Sequence, residues 1–250
     1  MRKVLKRAAH RLGVFPQARH VYRRLSPAVR SSLERDARLY RQIFSPGDLV
    51  FDVGANLGHK AQTFLRLGAR VVAVEPNPGC VAVLRHEFGG NGNLTVVPAA
   101  VAEEAGRATL HFHDLAASSS LRGDWEHLGK GGLGGPEERV EVEVTTLDAL
   151  VAEHGMPAYC KIDVEGLERE VLAGLSRPVP CLSIEYHREE GDRLHDCLRR
   201  LEALGFGKAN VIRTDGADMH LPEWVTLGAL ARIFDDGGLP PTGDIFVRGE

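Results

Sequence analysis

Phe51-Asp-Val-Gly-Ala-Asn-Leu-Gly58 is the stretch of sequence that decides the fold. It follows directly on the apolar residues Leu49 and Val50, and an amphipathic segment from His59 to Leu67 comes after it. A strand, a glycine turn and a helix in this order let the backbone approach a ligand closely and point helix N–H groups at its anionic end. The stretch therefore predicts the first strand and helix of a ligand-binding α/β sheet.

The alternation of apolar strands and amphipathic helices continues along most of the chain. Further strands are predicted at the following segments: 70–75, 94–97, 159–163, 181–185, 209–212 and 244–247. Helices are predicted after Asn77-Pro78 and near 165–175, 191–204 and 223–234. Buried β-branched strands separated by helices are typical of a parallel sheet covered on both faces. We therefore predict an α/β fold with a doubly wound, mostly parallel sheet of the seven-stranded type.

Residues 107–146 interrupt this alternation. The runs 108–113 and 139–144 both alternate apolar and polar residues with period two, which is typical of strands with one exposed face. Between them lie Ser118-Ser-Ser120 and the glycine-rich run Gly129–Gly135. We predict an inserted strand pair joined by a mobile loop, and we expect the loop from Asp114 to Glu138 to close over the site.

The N-terminal segment 1–45 differs in charge from the rest. It carries twelve Lys or Arg against Glu34 and Asp36, about +10, so the remainder of a chain with net charge −3 is about −13. Two helices are predicted there, the second beginning at Ser26-Pro27. We predict a basic helical extension over 1–45 and one domain over 46–250. We favour the interpretation that the apolar stripe of this extension packs on the core, with its charges outside. The alternative is peripheral contact with an anionic membrane.

Several classes of protein are excluded by composition. The four cysteines show neither a C-x-x-C pair nor histidine partners at zinc-finger spacing, which argues against a disulfide framework and a structural metal. No apolar stretch approaches about 18 residues, and the N-terminus lacks the apolar run of a signal peptide. We therefore expect a soluble, cytoplasmic protein.

The opening motif also restricts the ligand. Asn56 occupies the position of the second glycine of a dinucleotide-binding turn, and no phosphate-binding P-loop is present, which argues against NAD and against nucleoside triphosphates. Glu75 closes the second strand seventeen residues after Gly58, where a carboxylate can accept both ribose hydroxyls. Asp52 could face an ammonium group. Together these residues describe a nucleoside joined to an amino acid.

A second group of polar residues closes the fourth and fifth strands of the main sheet. Lys161, Asp163 and Glu165 would share one side if the strand stayed extended, and Glu185 and His187 alternate at the end of the next strand. The carboxyl ends of parallel strands are where open α/β sheets bind ligands. We therefore expect these five side chains at one crevice.

Glu168 follows the same strand, in the first turn of the predicted helix. A negative charge there is favoured by the helix dipole without any other partner. We therefore expect Glu168 to be a solvated helix residue rather than part of the site.

Five motifs in this order resemble the FkbM family of methyltransferases, over about residues 48–188. They are Asp52-Val-Gly-Ala-Asn-Leu-Gly58, Val74-Glu-Pro-Asn77, Pro98-Ala-Ala-Val101, Thr146-Leu-Asp148 and Lys161-Ile-Asp-Val-Glu-Gly166. The resemblance implies a class I methyltransferase sheet with S-adenosylmethionine as its cofactor. It also implies O-methylation of a hydroxyl on a small or medium acceptor, such as a sugar or a natural-product scaffold.

The resemblance also implies roles for individual residues. It places Ala100 near the adenine and Asp163 beside the methyl-transfer centre, and it implies cofactor contacts for the following residues: Asp52, Gly54, Asn56, Gly58 and Glu75. Because an alcohol acceptor benefits from a base, we take His187 as the first candidate and Asp163 as the second, with Glu185 orienting the imidazole. We predict no metal. The alternative is a divalent cation held by Asp163, Glu165, Glu185 and His187.

Two other functions stay open at this point. One is methylation of nucleic acid guided by the basic N-terminal segment, although amine-directed enzymes of that kind usually place a Pro-Pro-aromatic run where Val164-Glu-Gly166 stands here. The other is a non-catalytic binding module on the same fold. We expect a small hydroxylated substrate rather than nucleic acid as the partner, and the sequence does not predict an oligomeric state.

Overall fold

The computed structural model describes residues 26–112, 119–120, 138–214 and 216–249 of the chain. In chain order the strands are β1 (Leu49–Val53), β2 (Arg70–Val74), β3 (Leu94–Val97), β4 (Ala99–Val101), β5 (Gly106–Phe112), β6 (Ser119–Ser120), β7 (Glu138–Thr145), β8 (Tyr159–Ile162), β9 (Cys181–His187), β10 (Lys208–Arg213) and β11 (Thr242–Arg248). The helices are α1 (Pro27–Tyr40), α2 (His59–Arg66), α3 (Pro78–Phe88), α4 (Leu147–His154), α5 (Glu168–Ala173), α6 (Gly191–Ala203) and α7 (Leu227–Asp235), and a 3₁₀ turn spans Arg188–Glu190.

Seven strands form the main sheet in the order β10-β11-β9-β8-β1-β2-β3. β8, β1, β2 and β3 pair in parallel, as do β8 and β9, whereas β11 runs antiparallel to both of its neighbours. The strand order reverses direction at β1, so the ends of β1 and β8 open a crevice at the carboxyl edge of the sheet. The predicted doubly wound, mostly parallel seven-stranded sheet is confirmed.

Each face of the main sheet carries its own hydrophobic core. Phe51, Val72 and Ile162 pack with α4, α5, α6 and α7 in the larger core. On the opposite face Val50 and Val71 pack under α1, α2 and α3. Because side chains alternate along a strand, each buried strand supplies both cores, which explains its continuous apolar sequence.

Helix α1 belongs to the second of these cores. Its Tyr40 is 1% exposed and makes an edge contact with Phe64 of α2, with ring centroids 4.8 Å apart. Tyr159 of β8 and Phe246 of β11 stack beneath them, with centroids 5.9 Å apart. The helix that the sequence analysis grouped with the basic extension therefore packs on the sheet, while residues 1–25 lie outside the described residues.

The insertion forms a second, smaller sheet with the order β4-β7-β5-β6. β5 pairs antiparallel with β7 over the whole length of β5, as the predicted strand pair requires, and β4 pairs in parallel with β7. Ala100, Leu110 and Val142 form its buried centre. The run Gly129–Gly135 and most of the predicted loop 114–138 lie outside the described residues.

Two predicted helix boundaries were wrong. The helix expected from about residue 165 begins at Glu168, because Glu165 and Gly166 adopt φ values of +55° and +93°, which a right-handed helix cannot contain. The helix expected near 223 begins at Leu227, because the Thr226 hydroxyl caps it by accepting a hydrogen bond from the Ala229 amide.

Gly54 sets how closely the ends of β1 and β8 approach each other. Its φ is +80°, and a Cβ there would lie 1.8 Å from the carbonyl oxygen of Asp163. Gly47 also has a positive φ, +89°, but a Cβ there would meet nothing within 4 Å. A side chain at Gly47 would therefore meet only the strain of a left-handed backbone. A side chain at Gly54 would meet that strain and a steric clash as well.

We expect Gly54→Ala to destabilise the fold far more than Gly47→Ala. The control should cost about 1 kcal/mol, the penalty of a left-handed alanine, whereas Gly54→Ala must also separate two backbones and should cost at least about 3 kcal/mol. Urea denaturation monitored by circular dichroism measures both values. Equal losses in the two variants would show that the contact between β1 and β8 has no special role.

Candidate functional site

A cleft opens at the carboxyl edge of the main sheet, where the predicted site lies. It encloses about 750 Å³ of space, part of which is open to solvent. Its lining comes from the ends of β1, β2 and β8 and from the second sheet: Val53, Gly54, Asn56, Val74, Glu75, Pro76, Cys80, Ala99, Ala100, Val101, Leu110, Asp163, Val164, Glu165 and Leu167.

Glu75 ties together the two loops on one side of the cleft. One carboxylate oxygen accepts a hydrogen bond from the Asn56 amide at 2.7 Å, and the other accepts from the Asn77 amide at 2.8 Å. Asn56 has a φ of +49°, so the Glu75 carboxylate holds the turn after β1 in a conformation that non-glycine residues rarely adopt. Burial raises the pKa of Glu75 to about 7, although both amides oppose the shift.

Asp52 lies beneath the cleft rather than on its surface. It is 1% exposed and absent from the lining, and in the described part of the chain its Oδ2 atom has no hydrogen-bond partner. Burial, partly offset by Lys161, raises its pKa to about 6. Any effect of Asp52 on a bound ligand would therefore act through charge or backbone rather than through a contact at the cleft wall.

Asp163 lies on the β8 side of the cleft and is held by a buried lysine. The Lys161 ammonium, in a residue 2% exposed, donates to Asp163 Oδ2 at 2.6 Å. Burial opposes ionisation of Asp163, but the ammonium and the hydrogen bonds from Lys161 and Glu185 outweigh it and hold the pKa of Asp163 below its usual value. The cleft therefore contains one carboxylate that is ionised throughout the neutral range.

Glu185 contacts Asp163 from outside the cleft, and His187 lies next to Glu185. Burial and the neighbouring Asp163 raise the pKa of Glu185 to about 9, so Glu185 is protonated at neutral pH and can donate to Asp163. His187 Nε2 lies 3.8 Å from Glu185 Oε2, and the imidazole is 48% exposed. Neither residue lines the cleft, so of the three candidate catalytic residues only Asp163 does.

The prediction that Glu168 is a solvated helix residue was wrong. Glu168 is 8% exposed, and its Oε1 atom accepts hydrogen bonds from the Val164 and Gly166 amides, both at 3.2 Å. The turn at Glu165 and Gly166 points the following residues inward, so a carboxylate that a continuous helix would leave in solvent organises the loop instead. Glu165 itself lines the cleft.

The other residues that the sequence predicted as cofactor contacts either line the cleft or allow the helices beside it to pack closely. Gly54, Asn56, Glu75 and Ala100 line it. Gly58 does not line it, and a Cβ there would lie 2.7 Å from both Leu84 and Phe88 of α3, so this glycine permits close packing of two helices.

The sequence did not predict Cys80 and Leu110 as site residues, and both line the cleft. Leu110 lies at an inward position of the period-two pattern of β5, and that pattern was the available signal. Nothing in the sequence marks Cys80, which lines the cleft because α3 turns it inward.

The alternative of a divalent cation finds no support in the geometry. Among the residues that the structure describes, no group of three or more His, Cys, Asp or Glu side chains is arranged to hold a metal ion. One oxygen of Asp163, Oδ2, is already bonded to the Lys161 ammonium. In the same described residues, no helix is long and apolar enough to cross a membrane.

Comparison with known proteins identifies the family. A sequence model described as "Methyltransferase FkbM domain" matches residues 52–207, which is more than half of the chain. The chain belongs to the FkbM family of methyltransferases. This match confirms the family resemblance, and with it a methyltransferase that uses S-adenosylmethionine as its cofactor.

Two curated relatives and one solved structure are similar to this FkbM-family chain. The 31-O-demethyl-FK506 methyltransferase FkbM of Streptomyces tacrolimicus is 36% identical, over 55% of this chain and 67% of that protein. The 2-O-methyltransferase NoeI of Sinorhizobium fredii (strain NBRC 101917 / NGR234) is 28% identical, over 55% and 63%. The match thus spans about two thirds of each relative. The precorrin-6y C5,15-methyltransferase of Geobacter metallireducens GS-15 is 13% identical, covers 86% of each chain and has a TM-score of 0.46.

The chemistry of the cleft fits the cofactor of the FkbM family. Glu75 offers carboxylate lone pairs suited to ribose hydroxyls, and Ala100 and Leu110 offer an apolar wall suited to a flat base. Asp163 and Glu165, which follow β8, place negative charge on that side of the cleft, which suits a ligand with a cationic sulfur and an ammonium group. The lining therefore offers groups suited to the ribose, the base and the two cationic groups of S-adenosylmethionine.

We expect Lys161→Met to destabilise this chain by about 3 kcal/mol at pH 8, because it leaves the Asp163 carboxylate without its cation. Lys161 lowers the folded-state pKa of Asp163, so the stability it contributes is present above the unfolded pKa and lost as pH falls. In Lys161→Met the ammonium no longer opposes the burial that raises the pKa of Asp163, so this carboxyl takes up a proton on acidification and the deficit should shrink at pH 5. Lys161→Met/Asp163→Asn should recover part of it. Chemical denaturation at both pH values, with Lys208→Met as control, measures this. A deficit independent of pH would contradict the assignment.

Proposed function

We propose that this chain transfers the methyl group of S-adenosylmethionine to a hydroxyl oxygen of a small or medium acceptor, such as a sugar or a natural-product scaffold. The observation that carries the proposal is the ionised Asp163 carboxylate on the wall of the cleft, held by Lys161. A carboxylate in that position can accept a hydrogen bond from an acceptor hydroxyl and so orient its oxygen. The names of both curated relatives specify transfer at an oxygen.

The proposed cofactor contacts follow the chemistry of the cleft lining. We assign Glu75 to the ribose, Ala100 to the adenine, and Gly54 and Asn56 to the turn that lies against the amino-acid end. Asp52 acts from beneath that turn, and Gly58 keeps α2 and α3 close enough to form it. When bound, S-adenosylmethionine supplies an already activated methyl group, so the protein mainly positions the acceptor and excludes water.

The acceptor hydroxyl must lose its proton during the transfer. We assign Asp163 as the group that accepts its hydrogen bond and then its proton, with Glu185 hydrogen-bonded to Asp163 and His187 as the base nearest solvent, which takes up the proton once it has left this pair. This order differs from the expectation that His187 acts first. We change the order because Asp163 lines the cleft, whereas His187 does not and lies 3.8 Å from Glu185. His187 therefore becomes the outer member of a chain of three titratable groups.

We expect intact protein to bind S-adenosylhomocysteine with measurable heat, and Glu75→Ala to weaken that affinity at least tenfold. The substitution removes the carboxylate proposed for the ribose, and it also removes the acceptor of the Asn56 and Asn77 amides. Isothermal titration calorimetry gives both affinities, and Glu141→Ala on the exposed face of β7 is the control. Unchanged affinity in Glu75→Ala would remove the basis for placing the cofactor here.

We expect labelled methyl groups to appear on at least one member of a panel of sugars, glycosides and polyketide-like alcohols. Asp163→Asn should lower the rate at least about a hundredfold, the usual scale of a lost proton-transfer or orienting group, while S-adenosylhomocysteine binding persists. His187→Asn should have a smaller effect that buffer bases partly restore. Transfer to RNA or to amines instead of alcohols, measured with the same labelled cofactor, would contradict the proposal.

A further inference from the structure

Strained backbone is concentrated on the two loops of the cleft. Among the described residues, the non-glycine residues with positive φ are Asn56 and Glu165, at +49° and +55°. Both line the cleft, one after β1 and the other after β8. A left-handed conformation costs a non-glycine residue about 1 kcal/mol or more and persists where surrounding contacts enforce it. The strain at Asn56 is explained by Glu75, whereas that at Glu165 has so far no functional explanation.

One buried and one partly buried side chain enforce the conformation of Glu165. The Glu168 carboxylate accepts from the amides of Val164 and Gly166, which flank Glu165 on both sides. The Arg193 guanidinium of α6 donates to the carbonyl oxygen of Gly166. Burying the Glu168 carboxyl is costly, since burial raises its pKa. This loop is therefore held in place at the expense of stability, and the result is to present the Glu165 side chain to the cleft.

The charges around Glu165 come from four elements. Asp163 and Lys161 belong to the β8 end, Glu168 to α5, Glu185 to β9 and Arg193 to α6. Burial first, and then Asp163 and Glu168, raise the pKa of Glu165 to about 7, with Lys161 opposing. Ionisation of Glu165 therefore falls in the physiological range, and its charge adds to that of Asp163 on the same wall.

The cofactor and its product differ in charge as well as in one methyl group. S-adenosylmethionine carries a positive charge on sulfur, and S-adenosylhomocysteine is neutral at the same atom. A carboxylate on the wall of a partly desolvated cleft favours a cation over a neutral analogue of nearly the same shape. The end of the cleft that holds Asp163 and Glu165 is thus suited to discriminate between the two.

We propose that Glu165 is a specificity-determining residue that makes the cleft prefer cationic S-adenosylmethionine over its neutral product, and that Glu168 is the positioning residue that holds it there. The proposal rests on the proposed placement of the cofactor in this cleft. Its consequence for turnover is that loss of the charge on sulfur weakens binding as soon as the methyl group has left. Product release is thereby coupled to the completed transfer.

The test compares the affinities of S-adenosylmethionine and S-adenosylhomocysteine by calorimetry on the full chain, at pH 6 and pH 8. Glu165→Gln keeps the size and the polar character of the side chain and removes its charge. At pH 8 we expect this substitution to lower the ratio Kd(S-adenosylhomocysteine)/Kd(S-adenosylmethionine) about fivefold, which is the scale of one partly screened charge. At pH 6, where Glu165 is protonated in the wild type, we expect the substitution to change the ratio less than about twofold. Glu141→Gln, exposed on β7, is the matched control.

The pH comparison is made between variants because Glu75, Asp52 and Glu185 also change charge with pH. As pH rises through about 7, Glu165 loses its proton, so the ratio should rise in the wild type more than in Glu165→Gln. An unchanged ratio in Glu165→Gln at pH 8 overturns the proposal. So does an equal weakening of both ligands, which would indicate a purely structural role.

Variants of Glu168 test the positioning role separately. Glu168→Gln keeps an oxygen that can accept from Val164 and Gly166 and should retain the wild-type ratio, whereas Glu168→Ala should lower the ratio as Glu165→Gln does. If both Glu168 variants keep the ratio, Glu168 has no positioning role. If neither ligand binds wild-type protein, the placement of the cofactor fails. If both bind without discrimination by Glu165, only the present inference fails.

Discussion

The cleft depends on the two hydrogen bonds that the Glu75 carboxylate accepts from the Asn56 and Asn77 amides. These bonds join the turn after β1 to the end of β2 and hold Asn56 in a left-handed conformation. Gly54 then brings the β1 turn against the backbone of Asp163, at the end of β8. One carboxylate and one glycine thus fix three strand ends relative to one another. The groups that face the ligand are held rigidly as a result.

Four carboxyl groups in or beside the cleft differ in protonation because their surroundings differ. Lys161 keeps Asp163 ionised, whereas burial raises the pKa of Glu75 and Glu165 to about 7 and, together with Asp163, that of Glu185 to about 9. Groups of one chemical type thereby take separate roles: an ionised acceptor, two groups that respond to a bound ligand, and a proton donor. The buried ammonium of Lys161 sets Asp163 apart from the other three groups.

Much of the fold and half of the site could be predicted from the sequence. The pattern of apolar strands separated by helices was sufficient to predict the seven-stranded sheet. Glu75 and Asp163 could be identified because they end strands, and the carboxyl edge of a parallel sheet is where ligands bind. Loop geometry was not accessible in the same way. The left-handed turn at Glu165 and Gly166 buries Glu168, and no local pattern distinguishes that turn from the start of a helix. The separation of His187 from the cleft likewise depends on tertiary placement.

The carboxyl groups of the site reduce stability at neutral pH, and this links folding to binding. Asp52, Glu75 and Glu165 have folded-state pKa values raised by burial to about 6, 7 and 7. Each therefore contributes stability below its unfolded pKa and loses it as pH rises through the folded value. A cationic ligand reverses the loss, because it favours the ionised forms that burial penalises. These three carboxyl groups thus lower the stability of the free protein as they ionise, and a bound cationic ligand offsets that loss by compensating their charge.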